Sequence, residues 1–272
     1  MKKDRGIAKW LLIALCAVFL VALLVLPLIY VVVTAIRDGW NAYVKSVTDT
    51  YAVKSILLTL EVVAITVVVN TIFGVFAAWI ITKFTFRGKK IISTLIDLPL
   101  AISPIIAGLI FVLTFGRQSF LYPYLEKAGV QIIFAVPGIV LATIFVTFPF
   151  ISREIIPVLT AAGSDEEEAA AMMGVNGFQI FTQITFPHIK WALLYGIVLC
   201  SARAMGEFGA VSVLSGHLRG ITNTMPLYIE LLYQAFDFTG AFAMSSILVV
   251  MAVIILVLRN ILEYRGQKEG DA

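Results

Sequence analysis

The segment Ser164-Asp165-Glu166-Glu167-Glu168-Ala169-Ala170-Ala171-Met172-Met173-Gly174, with Ile184-Thr185-Phe186-Pro187 beyond it, is a polar, acidic passage between two long apolar runs. Ser164 can accept from the backbone N–H of the third helical residue while Glu167 reaches back, so Ser164-Asp165-Glu166-Glu167 reads as a capping box that starts a helix. Consecutive glutamates in a first turn suit the positive end of the helix dipole. Ala169, Ala170, Ala171, Met172 and Met173 then offer a small, smooth, partly apolar face. Alanines allow close approach to a groove on a partner, and methionines adapt to an imperfect fit. Gly174 stops the helix in a left-handed turn. Gly177–Gln183 forms a second short helix, and Pro187 helps to set the angle at which the next apolar run begins. A solvated acidic loop is the plainer reading, but a loop without a partner has no need of glutamate, alanines, glycine and proline at fixed separations.

On either side of this passage the chain is too apolar for a water-soluble domain. Of its 272 residues 60% are apolar and 14% charged, whereas soluble domains carry roughly 25% charged residues. Mean hydropathy is +0.99. Length is therefore counted in spans, each needing about 20 apolar residues. Six stretches qualify: Trp10–Ile36, Ser55–Ile81, Ile91–Phe115, Gln131–Ile156, Trp191–Val213 and Ala241–Leu258. The runs are continuous rather than alternating, and lipid forbids unpaired backbone groups, so helices are expected. The first run follows Lys2, Lys3, Arg5 and Lys9 as a signal peptide would. It is far longer than a signal's roughly 7–15 apolar residues and no small-x-small site closes it, so a retained first span is expected.

Basic residues set the orientation. Thirteen fall on one side: the four at the N-terminus, then Lys83, Arg87, Lys89, Lys90, Arg153, Lys190, Arg259, Arg265 and Lys268. Six fall on the other: Arg37, Lys45, Lys54, Arg117, Lys127 and Arg219. Both termini and the acidic passage are thus expected in the cytoplasm. The net charge of +3 is small and points to no nucleic acid. Cys16 and Cys200 sit inside apolar runs and read as core hydrophobes, and His188 and His217 stand far apart, a weak basis for a metal site. No G-x-x-x-x-G-K-[ST] sequence occurs, and Gly88-Lys89 lacks the upstream glycine, so a P-loop for ATP is absent from the chain.

The spacing Glu168-Ala169-Ala170, Gly174, Ile184 and Pro187 resembles the EAA coupling loop of membrane subunits of bacterial ABC importers. Other segments resemble permeases for sulfate and molybdate: Arg203-Ala204-Met205-Gly206-Glu207-Phe208-Gly209-Ala210-Val211, Asp97-Leu98-Pro99-Leu100-Ala101-Ile102-Ser103-Pro104, Ile133–Gly138 and Thr147–Phe150. Trp191–Gly196, Ser215–Gly220 and Asn223–Leu227 are similar to the W-type subunit of sulfate/thiosulfate importers. The likeness covers nearly the whole chain and is weakest before Tyr51 and after Leu258. One departure is Phe186, where the family's loop usually carries leucine; the residue stays apolar.

That resemblance implies an all-α integral membrane protein with six transmembrane helices in the type I ABC importer permease (MetI-like) fold, in the bacterial inner membrane. It implies a permease core over residues 55–258 with the coupling loop at about 157–190, preceded by a tail, first span and outer loop over 1–54 and followed by a cytoplasmic tail over 259–272. Implied partners are a homologous T-type permease subunit, two copies of a P-loop ATPase that carry the ATP and magnesium, and an extracytoplasmic sulfate-binding protein. The chain itself would bind no cofactor and catalyse no bond change. Sulfate or thiosulfate is the implied cargo; molybdate or tungstate, close in charge and size, is the alternative, and an ion-coupled secondary transporter is the alternative from another class. Such transporters tend to carry more spans and inverted repeats.

Several polar residues fall inside the expected spans. Arg203 and Glu207 are four apart and share a helical face, with Arg203 about 18 Å along its span from Trp191. They either pair structurally or place Arg203 on an anion path or gate. Gly206 and Gly209 allow close packing or expose backbone N–H groups, and packing is preferred. Ser212 and Ser215 are further path candidates, since hydroxyl donors hold a dianion without a permanent charge. Asp97 reads as a cap or interface group, and Glu61 and Asn70 as helix–helix contacts. Leu214–Thr239 is too polar to span; its amphipathic part Pro226–Tyr233 is expected at the headgroups or on a docking surface.

Overall fold

The computed structural model describes the backbone of residues 4–270 and the side chains of residues 9–263. Of the basic residues used above for orientation, Lys2 and Lys3 lie outside the described residues, as do the side chains of Arg5, Arg265 and Lys268. Every regular element among the described residues is helical. The first rod is α1 (Asp4–Leu20), a π turn (Val21–Val25) and α2 (Leu26–Ile36), with short α3 (Trp40–Val47) after it. Then come α4 (Thr50–Lys83), α5 (Lys89–Ala101), α6 (Pro104–Phe115), α7 (Tyr122–Lys127) and α8 (Val136–Ala162). The acidic passage forms α9 (Asp165–Met172). A second rod follows: α10 (Gly177–Ile180), a π turn (Phe181–Thr185) and α11 (Phe186–Met205). The chain ends with α12 (Gly209–Leu214), α13 (Met225–Gln234) and α14 (Phe238–Gly270).

Five of these helices or rods are long and apolar enough to cross a membrane: Lys9–Ile36, Thr50–Lys83, Val136–Ala162, Gly177–Met205 and Phe238–Glu263. The sixth expected span is different. Ile91–Phe115 is not one rod; α5 and α6 meet at a bend of 110°. Pro104 opens α6, and the two residues before it, Ile102 and Ser103, are extended. Proline disfavours the helical conformation in the residue before it and supplies no N–H, and here the helix stops. The fifth expected span is also shorter than Trp191–Val213. Its helix ends at Met205, and Gly206-Glu207-Phe208 separates it from α12.

Proline acts more mildly where the chain stays helical. Pro27 and Pro187 each lie just after a π turn, and in each case the preceding N–H reaches back five residues, Leu26 to Val21 and Phe186 to Phe181. Widening that turn makes room for a ring that cannot donate to the carbonyl four residues back. Gly177–Gln183 is therefore no separate helix set at an angle by Pro187; it is the base of the same rod as α11.

The bundle is built around α8, more than half of whose apolar window is buried, with α4 and α11 packed against it. Ile151, Ile155, Leu159, Ile189 and Cys200 fill this contact. Asn70 supplies a polar tie at the same level: its amide donates to Thr147 Oγ1 at 2.8 Å and to the Ile144 carbonyl at 3.3 Å. That is the helix–helix role expected of it. The first rod stands outside, with none of its window buried, and α2 rests on α14. Segment Pro226–Tyr233 is not laid on a surface. Its helix, α13, sinks Met225, Leu227, Tyr228 and Leu232 into the bundle end. The Met225 N–H donates to Thr59 Oγ1 at 2.8 Å, and the Tyr228 hydroxyl to Asp49 at 3.2 Å. Burial, then the Asp49 carboxylate, pushes the Tyr228 hydroxyl up to about 12, so it remains a donor.

The two interrupted helices pack on each other. A side chain at Gly209 would meet Pro104 Cβ at 2.9 Å, and one at Gly108 would meet the Ala210 carbonyl at 2.7 Å. Small residues thus set the α6–α12 approach. Gly108→Leu is expected to push α6 away and cost about 1–3 kcal/mol; thermal unfolding in detergent checks this, and an unchanged midpoint would refute the close approach.

Candidate functional site: the α9 loop and the broken fifth span

The α9 loop is organised by its own sequence. Val175 N–H bonds to the Ala170 carbonyl and Gly174 N–H to the Ala171 carbonyl. That is a Schellman closure, with Gly174 at φ +82° as the left-handed stop. Asn176 caps the next helix by accepting from the Gln179 N–H at 2.9 Å. The start of α9 differs from a capping box. Ser164 makes no bond to the backbone; its hydroxyl donates to Glu168 at 2.7 Å. Glu167 is occupied elsewhere, so it cannot reach back.

Three of the four acids of the first turn, Glu166, Glu167 and Glu168, have side-chain partners. Glu166 meets His188 Nε2 at 2.9 Å, and Glu168 holds Ser164. Glu167 accepts from Thr185 Oγ1 at 2.6 Å and pairs with Lys83 at 3.0 Å. Lys83 also donates to the Gly163 carbonyl. Of the expected coupling residues, Ala170 is buried against the bundle and Ile184 is half-buried, while Glu168, Ala169, Gly174 and Pro187 are exposed. The tip is apolar and uncovered: Met172 is 90% exposed, and Met173 and Phe178 are 77% exposed. Phe178 and the Lys83–Thr185 anchor were missed in the sequence. Phe178 carried a readable signal, an aromatic residue inside a polar loop; Lys83 was read only as a topology charge.

The second group lies about 39 Å away along the Gly177–Met205 rod, at 1.5 Å per residue. Arg203 Nη1 meets Glu207 Oε2 at 2.6 Å. Glu207 is buried, and its other oxygen accepts from the Ala210 N–H at 2.9 Å, opening α12 as an N-cap would. The Arg203 side chain keeps a 32% exposed flank. The two residues therefore pair across the end of a helix rather than along one. Gly206 is open, with nothing but the Ala202 carbonyl at 3.9 Å near a would-be Cβ, whereas Gly209 is pressed on Pro104. Ser212 donates to the Gly209 carbonyl at 2.9 Å. Ser215 is buried in a closed turn, where its hydroxyl accepts from the His217 N–H at 3.1 Å.

A third ionic contact was not foreseen as such. Arg153, counted above only among the basic residues of one side, sits within α8, and its Nε meets Asp97 of α5 at 2.9 Å. Asp97 is thus an interface group between α5 and α8. Among the described residues no three His, Cys, Asp or Glu side chains converge as a metal site would require.

Comparison with known proteins places this geometry. Residues 70–267 match the family described as binding-protein-dependent transport system inner membrane component. The chain is 44% identical over 261 residues to the sulfate transport system permease protein CysW of Escherichia coli (strain K12), covering 96% of this chain and 90% of that protein. It is 31% identical over 247 residues to the sulfate transport system permease protein CysT of the same organism, covering 91% and 89%. Among solved structures it is similar in fold to a chain of a bacterial alginate ABC transporter in complex with an alginate pentasaccharide-bound periplasmic protein, with a TM-score of 0.80, 18% identity and 96% of each chain covered. The chain belongs to the family of binding-protein-dependent transport system inner membrane components, as a multi-pass membrane subunit of an ABC system that performs no bond chemistry of its own.

Proposed function

We propose that this chain is the W-type permease subunit of an ATP-driven importer for sulfate or thiosulfate. The observation that carries the reading is the α9 loop: a helix rooted by buried charge, with Met172, Met173 and Phe178 left uncovered at its tip. A soluble loop does not keep three large apolar side chains in water without a partner. The seat for this tip is a cytoplasmic P-loop ATPase, present in two copies and carrying ATP and magnesium. A T-type permease forms the other half of the pathway, and an extracytoplasmic binding protein delivers the anion. Similarity to both CysW and CysT supports such a pair, since two homologous permeases can share one pseudo-symmetric interface. Residues 55–258 form the transport core, the first span is peripheral to it, and both termini face the cytoplasm.

Transport runs by alternating access. ATP closes the ATPase dimer, the α9 helices follow, and the bundle opens outward to receive the anion; hydrolysis resets it. The broken helices bear on where the anion passes. Non-helical backbone at membrane depth is tolerated only in protein or beside water, and the breaks before Pro104 and at Gly206-Glu207-Phe208 adjoin each other. Arg203 stands beside them with an exposed flank and a counter-ion behind it. It lends positive potential to a passing dianion, while Glu207 keeps the attraction weak enough for release. A charge facing hydrocarbon there would cost at least about 2.5–3.5 kcal/mol, so the exposed flank faces the path.

Three outcomes are expected. A strain without the gene fails to grow on sulfate as sole sulfur source and recovers on cysteine; growth on sulfate with a defect confined to molybdate use would move the cargo to the other oxyanions. Glu168→Arg weakens co-purification with the ATPase or uncouples hydrolysis from uptake, and normal coupled uptake would contradict the role of α9. Arg203→Ala lowers radiolabelled sulfate uptake by about tenfold or more with ATPase assembly unchanged; wild-type uptake would remove Arg203 from the path.

A further inference from the structure

Glu167 is the point at which α9 is joined to the rest of the molecule. Its carboxylate holds Lys83, the last residue of α4, at 3.0 Å, and Thr185, the last residue of the π turn below α11, at 2.6 Å. Lys83 in turn donates to the carbonyl of Gly163, which closes α8. The ends of α4 and α8, the lower part of the Gly177–Met205 rod and α9 thus meet at one cluster. The cluster is shielded: the Lys83 and Glu167 side chains are 9% and 17% exposed, and Thr185 is 2% exposed. Charge-assisted bonds in such surroundings are short, directional and little screened by salt.

The other ties of α9 are of a different kind. The Glu166–His188 pair has side chains 67% and 43% exposed, and the Glu168–Ser164 bond is exposed as well. Solvated pairs of this type contribute little. Ala170 is the one residue that α9 itself buries. Beside the backbone and the buried Ala170, Glu167 is therefore the shielded side-chain tie between this two-turn helix and the spans.

We propose that Glu167, with Lys83 and Thr185, is the joint that converts movement of α9 into movement of α4, α8 and α11 together. It is a positioning residue: it touches neither the anion nor the ATPase, and it sits on the bundle side of α9 while Met172, Met173 and Phe178 face away. The proposal rests on the reading of α9 as the ATPase-contacting helix and adds the element that makes this contact productive. Loss of the joint leaves the docking tip intact, so the ATPase still binds and still turns over, but the stroke is no longer passed on.

The test uses the whole importer in liposomes, with its ATPase and binding protein, and radiolabelled sulfate as the probe. Three quantities are read: ATPase co-purified per permease, sulfate KM, and sulfate moved per ATP hydrolysed. Glu167→Gln and Lys83→Met are expected to keep ATPase association and to keep KM within about twofold. They are expected to lose about tenfold in sulfate moved per ATP. Lys83→Arg, which retains the charge, is expected to behave as the parent. Should Glu167→Gln fail to accumulate in the membrane, Thr185→Val, which leaves the ion pair in place, is expected to lower the same ratio by about threefold. An unchanged ratio in Glu167→Gln, or in Thr185→Val where that variant is used, overturns the joint while leaving the coupling role of α9 standing. An ATPase that does not associate even with the parent chain overturns that role and the joint with it.

Discussion

Inside hydrocarbon a backbone amide must be bonded by its own chain or be sheltered by protein or water. This constraint explains most of what the chain does. Long apolar segments become uninterrupted helices because nothing else satisfies their amides. Where Pro27 and Pro187 intrude, the preceding turn widens to a π turn and the rod continues. Where continuity is lost, before Pro104 and at Gly206-Glu207-Phe208, the two gaps are brought side by side, and Glu207 takes up the freed Ala210 N–H. The molecule concentrates its irregular backbone in one place, next to Arg203. A lipid-facing bundle has no reason to do so; a bundle that must open has.

Charge is distributed by the same logic. Asn70 and Thr185 are buried and held by partners from another part of the chain, while buried Glu207 is held by Arg203 and Ala210 on either side of the break. The ionic contacts mark the places where one helix hands over to the next: α4 to α9 at Lys83–Glu167, α5 to α8 at Asp97–Arg153, and α11 to α12 at Arg203–Glu207. The Asp97–Arg153 pair is about half exposed, whereas Lys83–Glu167 and Arg203–Glu207 are shielded, and shielded pairs are poor sources of net stability. Their placement at handover points suits a bundle that alternates between two packings rather than one optimised for a single state.

Features set by neighbours in sequence were readable before the fold. The Glu168-Ala169-Ala170 to Gly174 to Pro187 spacing is local, and the left-handed glycine and the exposed methionines follow from it, whereas Ala170, read as part of the partner-facing side, is buried within the chain. Span number and approximate limits were readable because hydrophobic length is a one-dimensional property. The misreadings arise where a distant partner decides. Glu167 does not reach back to Ser164 because it is drawn to Lys83, 84 positions before it, and Thr185, 18 positions after it, and the Ser164 hydroxyl bonds Glu168 instead. Pro226–Tyr233 is buried rather than laid on a surface because Thr59 and Asp49 wait for it. Pro104 breaks a helix while Pro187 only widens one, and the packing of α6 on α12 makes the difference visible only in three dimensions.

The proposed function requires the uncovered tip of α9 to lie in the cytosol and to be covered by an ATPase. Thiol accessibility at position 172 tests it most directly. Met172→Cys would be made in a Cys16→Ser background, because Cys16 is exposed whereas Cys200 is buried, and probed with a membrane-impermeant maleimide. Rapid labelling is expected in inside-out vesicles when the permease pair is produced without the ATPase, none in right-side-out vesicles, and protection once the ATPase is present. Labelling from the outer side, or equal labelling with and without the ATPase, would contradict it.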